Sequence, residues 1–200
     1  MVGGEVYTNT VAEVDEDLSR QSQHKSILPL PSNTHYRAFR GSERDIVERC
    51  VQTLQVSGFY WGPLPMKEAH DKLKEEPMGT FLVRDSSQGN HLFSLSVKTE
   101  TGPFSLRVNF KDRAFWLENH SSDCLVRLLE ICVEKTRTTP LCCNEGIRVS
   151  FSKPLRRSRI PDLQELCRKR IVTECGIERV KALPIQPALR KYIEKFPFKI

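Results

Sequence analysis

Two hundred residues with 38% hydrophobic content suffice for one ordinary domain and a small appendage. The net charge of +6, from 31 basic against 25 acidic residues, favours anionic partners such as phosphate groups or acidic peptides without calling for nucleic acid. No run approaches the roughly 18 apolar residues of a membrane span, and the first residues lack a charged-then-apolar signal pattern, so a soluble, cytoplasmic chain is expected.

Residues 1–31 are polar, carry the acidic cluster Glu13, Asp15, Glu16 and Asp17, and end in Leu28-Pro29-Leu30-Pro31; they read as a disordered tail. A short basic and aromatic stretch, residues 32–42, follows. Ser42-Glu43-Arg44-Asp45 can cap a helix, the serine hydroxyl accepting from an orphan amide. Ile46, Val47, Cys50, Val51 and Leu54 then share one face, and Ser57-Gly58 ends a helix over 43–58. A short amphipathic stretch gathers Met66, Ala69, His70 and Leu73.

Strand-like runs come next: Thr80 to Arg84, His91 to Val97, a third in which Phe104, Leu106, Val108 and Phe110 alternate with Ser105, Arg107 and Asn109, and a shorter one from Arg113 to Leu117. Leu125, Leu128, Leu129, Cys132 and Val133 mark a helix. This order predicts an α+β fold, an antiparallel sheet with helices on its faces. Residues 136–160 look loop-rich and basic, apart from a strand at 147–151, and 119–124 and 136–148 are read as loops. A last unit starts near Pro161 with Leu163, Leu166, Cys167 and Ile171 on one helical face, and Leu189, Tyr192 and Ile193 suggest a final short helix. Forty residues can scarcely bury a core, so this unit needs a partner or the main domain.

The sharpest local signal is Gly79-Thr80-Phe81-Leu82-Val83-Arg84-Asp85-Ser86. Alternation sets Leu82 and Arg84 on one face, and an arginine in so apolar a strand is costly unless an anion pairs with it. A phosphate monoester carries about −1.5 to −2 charges and matches the guanidinium fork. Ser86 and Ser87 could wrap phosphate oxygens, and Arg107 can add a cation from a neighbouring strand. Chemistry alone leaves open whether Arg84 instead snorkels at a sheet edge.

Trp61-Gly62, a helix and then this octapeptide resemble the start of an SH2 domain, with the similarity running over 59–155. The resemblance implies a phosphotyrosine site at Arg84, supported by Ser86, Ser87 and Arg107. It departs from the pattern at Met66, where a basic residue is usual and Lys67 stands beside it, and at Ser105, where a histidine is common. Arg84 and Arg107 must therefore carry more of the contact.

Leu163-x-x-x-Cys167-x-x-x-Ile171 resembles the elongin-binding element of a SOCS box, an all-α unit over 160–200, which implies elongin B and elongin C as partners through Leu163, Leu166, Cys167 and Ile171. Leu183, Pro184, Ile185 and Pro187 are similar to a cullin-binding element, with Gln186 as an extra residue that implies weak cullin recruitment. An SH2 domain with an extension helix ahead of it and this box behind it resembles the suppressor of cytokine signaling family. Within that family, His35, Tyr36, Arg37, Phe39 and Arg40 look like a kinase inhibitory region, Tyr36 standing where phenylalanine is usual. Tyr36 and Phe39 would anchor, and Arg37 and Arg40 meet acids in a kinase cleft.

The implied function is negative regulation of cytokine signaling: phosphotyrosyl peptides of cytokine receptors and Janus kinases as partners, and a ubiquitin ligase recruited through the box. The alternative is a ligase substrate receptor that does not inhibit the kinase directly. No enzyme motif or metal-ligand spacing is present and no cofactor is expected. Cys142-Cys143 would be the sole candidate for thioester chemistry; the seven cysteines are expected mostly as buried thiols. Lys153, Arg156, Arg157 and Arg159, with Arg168, Lys169 and Arg170, read as a solvated basic face or, secondarily, as a nuclear address.

Overall fold

A computed structural model describes residues 38–143, 146–157 and 161–200. The expectations for the 1–31 tail and for His35, Tyr36 and Arg37 lie outside the described residues.

The apolar stripe after residue 42 forms α1 (Ser42–Ser57), which buries Val47, Cys50, Val51 and Leu54. Its start differs from expectation. Gly41 occupies the cap position with φ 52°, no side chain caps the helix, and the Gly41 carbonyl accepts from the Asp45 amide at 3.3 Å. Ser42 is already helical, so its hydroxyl is not placed to cap. Gly58, left-handed at φ 78°, ends α1.

The short helix α2 (Met66–Leu73) precedes a five-stranded antiparallel meander in sequential order: β1 (Phe81–Asp85), β2 (Phe93–Thr99), β3 (Gly102–Lys111), β4 (Ala114–Leu117) and β5 (His120–Ser122). The fifth strand corrects the expected loop at 119–124. Three residues are too few to show period-two patterning, and pairing with β4 through Leu117↔His120 and Phe115↔Ser122 makes them a strand. Next come α3 (Leu125–Lys135) and a two-residue pair, β6 (Leu141–Cys142) with β7 (Arg148–Val149). The strand expected over 147–151 is thus shorter, and β6 lies in a segment read as loop. Helices α4 (Leu163–Cys175), α5 (Ile177–Val180) and α6 (Pro187–Lys195) complete the chain.

Register divides the sheet into two unlike faces. Phe81, Val83, Phe93, Leu95, Val97, Leu106, Val108, Phe110, Phe115 and Leu117 join α1 and α3 in the main core. The opposite face carries Leu82 and Arg84 on β1, across from Ser96 and Ser94 on β2, then Ser105 and Arg107 on β3. There α2 packs through Ala69 and Leu73 onto Leu82. The outer edge of β1 is covered by the chain before and after the sheet: the Trp61 amide donates to the Val83 carbonyl at 2.8 Å, and the Leu155 amide to the Phe81 carbonyl at 2.6 Å.

The C-terminal helices enclose a small cluster of Val172, Val180 and Ile193. The chain end then returns to the main domain, where Phe196, Phe198 and Ile200 join its core. Two arginines read as part of a solvated basic face do structural work instead. Arg168 is 4% exposed, donates to the Phe196 carbonyl and lies 4.5 Å over its ring. Arg156 donates to the Ser57 carbonyl at 3.0 Å and to Glu165 at 2.9 Å. The cysteines also divide more evenly than expected: Cys50, Cys132 and Cys143 are buried, Cys124 and Cys175 half-buried, Cys142 and Cys167 exposed. Burial pushes the Cys143 thiol up to about 11 and the Cys132 thiol up to about 12, which keeps both protonated and unreactive.

Candidate phosphate-binding site

Arg84 sits on β1, the first strand of the sheet, on the face that packs against α2, and is 3% exposed. Its Nε donates to Ser96 Oγ at 3.2 Å, one terminal nitrogen to the Asp85 carbonyl at 3.2 Å, and the other to Ser105 Oγ at 3.4 Å. Among the described residues no carboxylate forms an ion pair with it. Three of the five guanidinium donors are engaged, and one N–H on each terminal nitrogen remains for a ligand. Burial lowers the Arg84 pKa from its ordinary value, with Asp85 opposing. A buried guanidinium held only by neutral oxygens, with two N–H groups uncommitted, has the chemistry to accept a pair of anionic oxygens.

The other expected residues are placed around it unequally. Arg107 is exposed on the same face, in line with Arg84 through Ser94 and thus about 10 Å away across two strand spacings. Ser86 starts the loop after β1; its amide donates to the Leu92 carbonyl at 3.0 Å, and its hydroxyl accepts from the Gln88 amide at 3.2 Å. Ser87 is exposed on that loop. Met66 is 53% exposed at the start of α2.

Three residues at the centre of this arrangement were not among the sequence candidates for the site. His70 Nε2 lies 2.9 Å from Ser105 Oγ, and Ser105 Oγ lies 3.0 Å from Ser96 Oγ. A histidine thus reaches the pocket from the helix, whereas the SH2 pattern commonly carries one on the strand, at the position of Ser105. The signal was present: Ser94 and Ser96 alternate with Phe93, Leu95 and Val97, and His70 lies one turn after Met66. Beneath the site, Tyr60 donates to Asp85 Oδ1 and ties the entry segment to the end of β1. Burial raises the Asp85 pKa above the usual carboxylate range, while Tyr60 and Arg84 pull it back.

The remaining candidates fall on other surfaces. Phe39 is half-buried against Phe110, ring centroids 5.5 Å apart and nearly perpendicular, while Arg40 is exposed. Phe39 thus packs against this domain, on β3. On α4, Glu165, Arg168 and Val172 face the body of the protein, leaving Leu163 74% and Leu166 49% exposed, with Cys167 exposed beside them and Ile171 half-buried. Leu183 and Ile185 pack against the small C-terminal cluster, whereas Pro184 and Pro187 are exposed.

The SH2 domain family profile matches residues 59–131, the stretch that contains α2, the whole sheet and most of α3. Over 171 residues the chain is 44% identical to suppressor of cytokine signaling 1 from Homo sapiens, covering 84% of this chain and 76% of that protein. The chain belongs to the suppressor of cytokine signaling family. Its likeness extends to suppressor of cytokine signaling 2 from Homo sapiens, 36% identical over 76% of this chain and 81% of that protein. A cytokine-inducible SH2-containing protein from Gallus gallus is 32% identical over 80% of this chain and 75% of that protein. Like its family, the chain is a regulator of cytokine signaling built on an SH2 domain. Among the described residues no helix is long and apolar enough to cross a membrane, and no cluster of candidate metal ligands occurs.

Proposed function

We propose that this suppressor of cytokine signaling reads phosphotyrosine at Arg84, restrains a Janus kinase, and delivers its target for ubiquitin transfer through elongins B and C. The observation that carries the reading is the buried Arg84 guanidinium, with its open fork and no carboxylate partner among the described residues. An exposed Leu163, Leu166 and Cys167 surface on a helix anchored from its other side supports elongin docking. Cullin contact would fall chiefly to Pro184 and Pro187, in keeping with weak recruitment.

Kinase inhibition as a pseudosubstrate rests on His35, Tyr36, Arg37, Phe39 and Arg40. The contact between Phe39 and Phe110 favours a second reading, a substrate receptor without direct inhibition, because the ring must leave Phe110 to enter a kinase groove. Titrating the full chain against a Janus kinase catalytic domain separates the two. Inhibition that Arg37→Ala abolishes, while Arg84→Lys loses only phosphopeptide binding, supports the first. Phosphopeptide binding that needs Arg84, with the kinase untouched, supports the second.

A further inference from the structure

The hydroxyls around Arg84 and the His70 ring form one chain of hydrogen bonds. Ser105 Oγ has two lone pairs and lies within reach of Arg84, Ser96 and His70 Nε2. With His70 neutral and its proton on Nδ1, one assignment satisfies every group: Arg84 Nε donates to Ser96, Ser96 and Arg84 donate to Ser105, and the Ser105 hydroxyl donates to His70 Nε2. Protonating His70 turns Nε2 into a donor, and three donors would then compete for two lone pairs on Ser105. The chain must reverse, with the Ser105 hydroxyl donating to Ser96. Ser105 then accepts from His70 and Arg84, and the Ser96 hydroxyl is left without a protein acceptor beside the guanidinium.

We propose that His70 is a positioning residue of the phosphate pocket, whose protonation turns the Ser105–Ser96 chain toward the ligand and adds a positive charge, so that a phosphate monoester is held more tightly on the protonated form. The proposal rests on the reading of Arg84 as the phosphate anchor. The charges facing His70 are consistent with it. On β1 stands Arg84. On the same face of β2, Lys98 is turned to the Lys74 carbonyl at 2.7 Å, and on that face of β3 stands Arg107. On α2 the opposing acid is Asp71. Burial and then Arg84 hold His70 below its ordinary pKa, and a bound dianion would supply a countercharge.

Linkage makes this measurable, because the rise in the His70 pKa on ligand binding must equal the base-ten logarithm of the affinity ratio of its two protonation states. The experiment follows His70 by NMR in the full chain across pH, with and without saturating O-phospho-L-tyrosine, and measures the affinity of that ligand at each pH for the parent, His70→Gln and Arg84→Lys. His70→Gln can still hydrogen-bond Ser105 but cannot titrate. Dividing parent by His70→Gln affinities removes the ligand's own ionisation near pH 6. The expected result is a rise of about one pH unit in the His70 titration and a ratio that grows about tenfold toward acid pH. An unmoved His70 titration overturns the proposal in the parent alone, even should His70→Gln fail to fold. A flat ratio, with binding still lost in Arg84→Lys, overturns it and leaves the phosphate reading standing. No binding by the parent at any pH overturns both.

Discussion

Single side chains in this protein carry charges that the fold resists. Holding His70 below its ordinary value of 6.5 means that the folded state binds fewer protons than the unfolded chain. Stability is therefore unaffected above that range and falls as pH drops through it, until the folded state also protonates. Urea unfolding between pH 7.5 and 5 will show this decline, and His70→Gln will flatten it; an identical slope in the variant would refute the linkage. Phe39→Ala removes an edge-to-face partner and part of the cover over Phe110, costing about 1–2 kcal/mol by the same assay. That cost makes Phe39 a poor probe of inhibition, for its loss disturbs the domain as well as any kinase contact.

At the scale of elements, turns and edges decide how well the sheet is held. Between β3 and β4 the turn residues Asp112 and Arg113 have φ 52° and 61°, as a two-residue hairpin turn requires. Arginine is strained there, so Arg113→Gly should raise stability by about 0.5–1 kcal/mol, read as an upward shift of the unfolding midpoint. Gly79 presents the opposite case. It enters β1 at φ 80°, and an added Cβ would lie 2.8 Å from Ser152 Oγ and 3.1 Å from the Ser152 amide. Gly79→Ala should cost more than the roughly 1 kcal/mol of left-handed strain alone, and unchanged stability would mean that the strand entry can shift. Neither demand was visible beforehand: the glycine stood in a recognisable motif, but the chain it meets arrives some seventy residues later, through Ser152.

The whole molecule is held together by its last residues. Phe196, Phe198 and Ile200 enter the main core, the Lys199 amide donates to the buried Glu130, and Arg168 clamps the Phe196 carbonyl. Removing 196–200 should lower the Tm by roughly 10 °C or more, since three buried apolar side chains contribute several kcal/mol. A melt unchanged by the truncation would show that the C-terminal unit stands independently. Because Leu163 faces outward, Leu163→Asp should leave the Tm within about 2 °C while abolishing co-purification with the elongin pair.

Legible from residue order were the sheet's two faces, the helices that flank it, Arg84 as a charge without a local reason, and the apolar outer stripe of α4. These follow from periodicity and from motifs a few residues long, in which cause and consequence are neighbours. Tertiary structure alone decided that His70 meets Ser105 thirty-five residues away, that Phe39 lies on Phe110, that β5 pairs at all, and that Arg156 and Arg168 are fasteners. Each of these depends on which surfaces the packed sheet and helices bring together, and a charge or an aromatic ring carries no local mark of the partner it will find.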